Sequence, residues 1–152
     1  MFDFCVKNSE NSEKMKKGET MAMEKKQPNE YHKVGRINMT ISKKAHIKCA
    51  DIYISESHLK HISHVHGKEL KQLGISAYDY VVNITKRFNQ IRTGSGESIL
   101  LVVFNDYLSH VAAIKMNYSF EKEYWEIKTA QPRKSKELEK HKLLWWNCPS
   151  SQ

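Results

Sequence analysis

The chain has 152 residues and a formal net charge of +8, from 25 basic and 17 acidic side chains. Its length predicts one domain, and no stretch approaches the ~20 apolar residues that a membrane-spanning helix requires. The N-terminus lacks the pattern of a secretory signal, and the three cysteines (Cys5, Cys49 and Cys148) form no CxxC or zinc motif. We therefore expect a cytoplasmic protein that does not bind a membrane.

The positive charge is confined to the two ends of the sequence. Residues 51–130 carry nine basic and nine acidic side chains, so the excess lies in residues 1–50 and 131–152. Residues 1–33 are polar and have no apolar period, which predicts a disordered tail, because such a segment cannot bury enough apolar area to fold. We expect one folded domain over residues 34–147 and a short tail over residues 148–152.

Two helices are predicted in the first half of this domain, at residues 58–73 and 77–91, from apolar side chains at helical spacing. Ser55 and Ser57 are N-cap types that precede the first helix. Gly67 is expected to interrupt that helix, and Gly74 is a typical terminator.

The periodicity then changes from 3.6 to 2, which predicts strands. The expected strands are residues 98–104, 110–117 and 124–130, with a further one at 143–146 and a short β-prone run at 51–54. Pro132 is expected to end the strand before it, since proline cannot donate to the ladder. The predicted fold class is α+β, with two N-terminal helices packed on a three- to four-stranded antiparallel sheet.

Four histidines lie within nine residues of the first helix: His58, His61, His64 and His66. Histidines three residues apart share one side of a helix, so zinc binding is one interpretation. The HExxH arrangement and a matched acidic ligand are missing, however, and a solvated polar face is a simpler alternative. The favoured functional interpretation is one general acid or base, for which His61 and His66 are the candidates.

The predicted strands supply a second group of candidate residues. If Trp125 and Ile127 face the helices, alternation places Lys115, Glu126 and Lys128 together on the open face. A carboxylate beside two ammonium groups suits phosphodiester chemistry, because lysine stabilises the extra negative charge and a base takes the proton of the attacking hydroxyl. The same pattern is also typical of the polar outer face of an antiparallel sheet.

A basic stretch with aromatic neighbours follows Pro132. It includes Arg133 and Lys134, and two indoles follow at Trp145 and Trp146. Cations that contact phosphates and indoles that stack on bases would suit single-stranded RNA. The alternative is that the lysines are merely solvated.

The order of these segments resembles a known family. The similar residues are Ile52-Tyr53-Ile54, His58-Leu59-Lys60-His61-Ile62 followed by His66, Tyr78-Asp79-Tyr80-Val81 with Phe88-Asn89-Gln90-Ile91, Ile99-Leu100-Leu101-Val102-Val103, Tyr124-Trp125-Glu126-Ile127-Lys128-Thr129-Ala130, and a terminal Leu143-Leu144-Trp145. Together they resemble the phage-associated barnase–EndoU–colicin–RelE-like (BECR) nucleases, over roughly residues 34–146.

The resemblance implies a metal-independent endoribonuclease without a cofactor, in which the 2′-hydroxyl of the RNA attacks the adjacent phosphate. The helix histidine of the family matches His61 or His66, and its strand hydroxyl matches Thr129. The remaining candidates are assigned from position, namely Lys128 in catalysis and Lys115, Arg133 and Lys134 in substrate binding.

The resemblance also implies partners and a biological setting. Such domains occur in mobile elements as effectors or toxins, which implies an RNA substrate and an antitoxin or immunity protein. The alternative is a non-catalytic RNA-binding or phage-structural module with the same fold.

Overall fold

The computed structural model describes residues 30–118 and 122–147, and those from Tyr31 onward belong to one unit. The strands are β1 (Tyr31–Ile37), β2 (Ala50–Ser55), β3 (Gln90–Thr93), β4 (Ile99–Val103), β5 (Leu108–Asn117), β6 (Tyr124–Lys134) and β7 (Leu143–Trp146). The α-helices are α1 (Met39–Ala45), α2 (Glu56–Val65), α3 (Gly67–Leu73) and α4 (Ala77–Arg87), and Ser135–Lys140 is a 3-10 helix.

All seven described strands form one mixed sheet, in the order β1-β2-β6-β5-β4-β3-β7. Strands β2 and β6 are parallel, and the other neighbours are antiparallel. The predicted fold class, two N-terminal helices on a three- to four-stranded antiparallel sheet, is therefore wrong. The prediction missed β1 and the place of β2 in the sheet, because β2 pairs in parallel with a strand far along the chain and no local pattern indicates such a partner.

The second predicted helix also ends earlier than its apolar spacing suggested. Helix α4 stops at Arg87, and Phe88 turns the backbone to an extended conformation with ψ 137°. The following residues form β3 between β4 and β7, where Ile91 is fully buried. Burial in the sheet thus overrode the helical spacing of this segment.

Strand β6 continues past the proline that was expected to end it. Pro132 lies opposite His110 of β5, whereas β2 reaches only as far along β6 as Glu126. Pro132 therefore lies on a part of β6 that has a neighbouring strand on one side, where a missing N–H group is tolerated.

Apolar side chains cover both faces of the sheet. The α-helices pack on one face around a core that includes the fully buried Ile52, Ile62 and Ile127. On the opposite face, Leu138 of the 3-10 helix packs against a smaller cluster that includes Val102. The sequence did not indicate what lies on this second face of the sheet. The structure shows that the 3-10 helix covers part of it.

A β-bulge interrupts the alternation of β6. Ile127 and Thr129 lie opposite the consecutive residues Ile114 and Ala113, so Lys128 is an extra residue in its strand. The bulge moves Thr129 away from the face of Ile127, onto the face that Ala113 shares with the smaller apolar cluster. Bulges of this kind re-aim side chains and are common beside functional sites.

Replacing Gly35 with alanine should destabilise the protein by about 1–3 kcal/mol, the usual cost of overpacking. A Cβ atom at Gly35 would lie 2.9 Å from Cβ of Thr85, whose hydroxyl is fixed by donating to the Val34 carbonyl at 2.7 Å. Urea unfolding would measure the loss. Gly67→Ala is the matched control, because a Cβ there meets nothing within 4 Å; an equal loss in both variants would contradict the steric argument.

Several sequence-based predictions concern residues outside the described ranges. These are the tail over residues 1–29, the tail over residues 148–152, and Cys5 and Cys148. Within the predicted N-terminal tail, residues 31–33 belong to β1. Among residues 30–118 and 122–147, no helix has both the length and the apolar character to span a membrane.

Candidate active site

Glu126 is a buried carboxylate in the first half of β6. Its side chain is only 4% exposed, and burying a charge is costly unless it is paired. Oε1 accepts a hydrogen bond from Nδ2 of Asn117 at 2.7 Å and lies 3.4 Å from Nζ of Lys128. The bulge at Lys128 thus leaves this ammonium group beside a carboxylate that neighbouring strands hold in place.

His58 contacts the other oxygen of this carboxylate. Ser55 ends β2 and is the N-cap of α2, where its hydroxyl accepts from the backbone N–H of His58 at 3.1 Å. Because Tyr53 of β2 is the parallel register partner of Glu126, the first turn of α2 begins beside that residue. Nδ1 of His58 consequently lies 3.3 Å from Oε2 of Glu126 and 3.0 Å from Oγ of Ser55.

Nδ1 of His58 is turned toward Glu126 and Ser55, so Nε2 is the ring nitrogen left to act on a substrate. Nδ1 faces two oxygens: the Glu126 carboxylate, which only accepts, and the Ser55 hydroxyl, which can donate or accept. Among the described residues, Nε2 has no hydrogen-bond partner. Burial lowers the pKa of His58, the Glu126 carboxylate opposes that shift, and the positive charges of Lys128 and His61 add to it. A neutral imidazole with an available Nε2 is suited to act as a general base near neutral pH.

Two of the predicted lysines lie at an open cleft beside this pair. Lys115 is the cross-strand register partner of Glu126. Together with Lys128, Met116, Asn117 and Tyr118 it lines a cleft of about 550 Å³. The cleft therefore offers two ammonium groups that can hold a phosphodiester. Its Asn117 and Lys128 contact Glu126, which in turn contacts His58.

The two predicted catalytic histidines lie at different places on the helices. His61 is exposed, one turn after His58, and is close enough for its charge to lower the pKa of that residue. His66 lies at the break between α2 and α3, with Nδ1 4.0 Å from Oε1 of Glu69. Only His61 is thus adjacent to the His58–Glu126 pair.

The remaining predicted residues line other cavities. Thr129 and Arg133 line a cavity of about 170 Å³ with Ser98 and His141. Arg133 and Lys134 line another, of about 380 Å³. The structure therefore brings Lys115 and Lys128 together at one cleft, and it does not bring Thr129, Arg133 or Lys134 to that cleft.

The roles of His58 and Asn117 were not assigned from the sequence. The signal for His58 was its position three residues after an N-cap serine, which fixes it in the first turn of the helix. The N-cap serine alone does not identify Glu126 as the partner of His58, because that also depends on the parallel pairing of β2 with β6. Asn117 had no signal, since it ends a strand and its amide can serve many purposes.

Within the described residues, the structure does not support zinc binding by the four histidines of residues 58–66. Within the described part of the chain, none of the four histidines of residues 58–66 belongs to a group of three or more side chains that could hold a metal ion. Such a group would have to bring several ligand atoms within reach of one ion.

Comparison with known proteins finds no family model, no curated protein and no solved structure that matches the chain. The resemblance to BECR nucleases therefore stays a prediction, and the geometry of the His58–Glu126 pair indicates what chemistry the chain can perform.

Proposed function

We propose that the chain is an endoribonuclease that cleaves RNA by attack of the 2′-hydroxyl on the adjacent phosphate. The observation that carries the proposal is the 3.3 Å contact between His58 and the buried Glu126, beside a cleft lined by Lys115 and Lys128. These side chains supply a base and a charge stabiliser, which are the groups that this reaction requires.

In this mechanism His58 is the general base. Its Nε2 accepts the proton of the 2′-hydroxyl while that oxygen attacks phosphorus. We assign the hydrogen of the neutral ring to Nδ1, which faces Glu126, and this carboxylate stabilises the positive charge that develops on the ring. A carboxylate behind an imidazole is a recurrent way to orient such a base.

The leaving group requires an acid, and we assign that role to His61. As the bond from phosphorus to the 5′-oxygen breaks, this oxygen takes a proton from His61, one helical turn from His58. The products are a 2′,3′-cyclic phosphate and a 5′-hydroxyl. Lys115 and Lys128 stabilise the negative charge that accumulates on the phosphoryl oxygens.

The proposal includes the setting that the resemblance implies. The substrate is RNA, the reaction uses no metal ion or cofactor, and the protein acts in the cytoplasm. An antitoxin or immunity protein would be its natural partner, because a free ribonuclease would damage the cell that makes it. These statements depend on the resemblance to toxin-type nucleases.

The direct test is to incubate the purified chain with end-labelled RNA, with and without EDTA. We expect cleavage in both arms and new ends that carry a 2′,3′-cyclic phosphate, since both catalytic groups are side chains of the protein. The matched control is His58→Ala, purified in parallel, which separates the chain's own activity from a contaminating ribonuclease.

The outcomes of this test separate two classes of protein. Salt-sensitive RNA binding without any product would overturn the nuclease proposal and favour the non-catalytic RNA-binding module. Cleavage that EDTA abolishes would overturn the metal-independent mechanism.

A further inference from the structure

A second groove lies on the helix side of the sheet, away from the cleft at Lys115. It consists of two cavities of about 380 and 340 Å³ that share Leu73 and His110. The first extends to β6, where residues 131–134 line it, and the second extends to Tyr80 and Arg87 of α4. We call it the His110 groove. Each cavity has the size of a small-molecule site.

The floor of the groove is a fixed pair of polar rings. Nδ1 of His110 lies 2.9 Å from the hydroxyl of Tyr80, and the rings meet edge to face at 5.5 Å. Tyr80 is 3% exposed, and His110 is its only hydrogen-bond partner among the described residues. A buried O–H group must donate to be satisfied, so Tyr80 donates to Nδ1.

This hydrogen bond determines what His110 offers to a ligand. If Nδ1 accepts, the hydrogen of the neutral ring is on Nε2, at the edge turned away from Tyr80. Burial lowers the pKa of His110 and raises the pKa of Tyr80, so the neutral ring and the protonated phenol both persist near neutral pH. His110 therefore presents one N–H donor of fixed direction.

The charges of the groove indicate which ligand it suits. Arg87, Arg133 and Lys134 line it, but so do Glu69 and Glu137, and Nε of Arg133 lies 3.9 Å from Oε1 of Glu137. Two carboxylates would repel an isolated phosphate. A nearly balanced set of donors and acceptors instead suits a neutral group with a mixed hydrogen-bonding edge.

Apolar and amide side chains complete this pattern. Leu73, Leu108 and Pro132 supply apolar surface, and Gln72 and Gln131 supply amides that can both donate and accept. A flat apolar ring with donors and acceptors along its edge is the chemical description of a nucleobase.

We propose that the His110 groove binds one nucleobase of the RNA and so selects the sequence that is cut. The inference rests on the proposed ribonuclease function. The groove and the lysine cleft share strand β6, because Gln131 lies three residues after Lys128, or about 10 Å at ~3.3 Å per residue.

The experiment measures binding of the four nucleoside 3′-monophosphates to the full chain by NMR titration. We expect one of them to bind at least tenfold more tightly than the others, with shifts centred on His110. His110→Phe, which retains a ring against Tyr80, should remove about tenfold of this preference, the value of one lost hydrogen bond. His64→Ala, an exposed change on α2, should have no effect.

A second variant keeps the test decisive if His110→Phe does not fold. Leu73 is 46% exposed, so Leu73→Trp can fill the groove without disturbing the core, and it should block nucleotide binding. Equal weak binding of all four nucleotides, unchanged in both variants, would overturn the proposal.

The experiments distinguish failure of the base-binding proposal from failure of the nuclease proposal. If the chain binds one nucleotide selectively but cuts no RNA, base binding in the His110 groove stands and its role in cleavage-site selection is overturned. If the chain binds no nucleotide and cleaves RNA without base preference, base binding in the His110 groove is overturned and the nuclease proposal stands.

Discussion

His58→Ala should reduce the rate of RNA cleavage by about 10²- to 10⁴-fold, the usual contribution of a general base. The variant removes the group that we assign to take the 2′-hydroxyl proton, whereas binding by Lys115 and Lys128 is retained. The loss should therefore appear in kcat more than in KM. Single-turnover cleavage of a short labelled RNA would measure it.

The matched control is His64→Ala, on the same helix. His64 is exposed, and within the described residues it makes no contact with the His58–Glu126 pair, so cleavage should stay at the wild-type rate. Circular dichroism should show that both variants are folded. Equal cleavage rates for His58→Ala and the wild-type protein would overturn the assignment of His58 as the base. A loss of cleavage in His66→Ala alone would place the active site at the break between α2 and α3.

The pH dependence of cleavage provides an independent check on His58. A base acts when it is neutral, and burial holds the pKa of His58 below its ordinary value of 6.5. The decline of the rate at acid pH, which reports protonation of the base, should therefore lie below pH 6.5. Since Lys128 contributes to this lowering, Lys128→Met should raise the pKa and move the decline to higher pH. A shift of this decline to lower pH in Lys128→Met would contradict the proposed effect of the Lys128 charge on the pKa of His58.

Local signals in the sequence predicted the start, the interruption and the end of the first helical segment. The N-cap expected at Ser55 or Ser57 is Ser55, whose hydroxyl accepts from the first turn. The terminator expected at Gly74 is confirmed by its left-handed backbone, with φ 72°. The expected interruption near Gly67 divides α2 from α3. Each of these features depends on residues within one turn, which is why the sequence alone indicates them.

The sheet and the site could not be predicted in the same way, because both depend on contacts between distant segments. Alternation placed Lys115 and Lys128 near Glu126, but the bulge that moves Thr129 to the other face has no marker such as glycine. The four histidines are equivalent by spacing. Only the parallel pairing of β2 with β6 places His58, rather than its neighbours, beside a buried carboxylate.

Glu126→Gln should reduce cleavage by up to ~10⁴-fold while the protein stays folded. Glutamine retains the shape of the side chain and an oxygen that can accept from Asn117. Its amide, however, donates toward Nδ1 of His58, where the carboxylate accepts. The hydrogen of the neutral imidazole then moves to Nε2, and the lone pair that takes the 2′-hydroxyl proton is lost. The change of one atom therefore acts through the tautomer of a different residue.

The decisive measurement is ¹⁵N NMR of His58, which reports the protonated ring nitrogen directly. We expect the hydrogen on Nδ1 in the wild-type protein and on Nε2 in Glu126→Gln. Glu123→Gln is the control, because that carboxylate is half-exposed and pairs with Lys48, and it should change neither the tautomer nor the rate. Since Lys128 is 42% exposed, losing its partner leaves it solvated, so a tautomer change need not be accompanied by unfolding. An inactive variant with the hydrogen still on Nδ1 would show that Glu126 acts on the substrate itself.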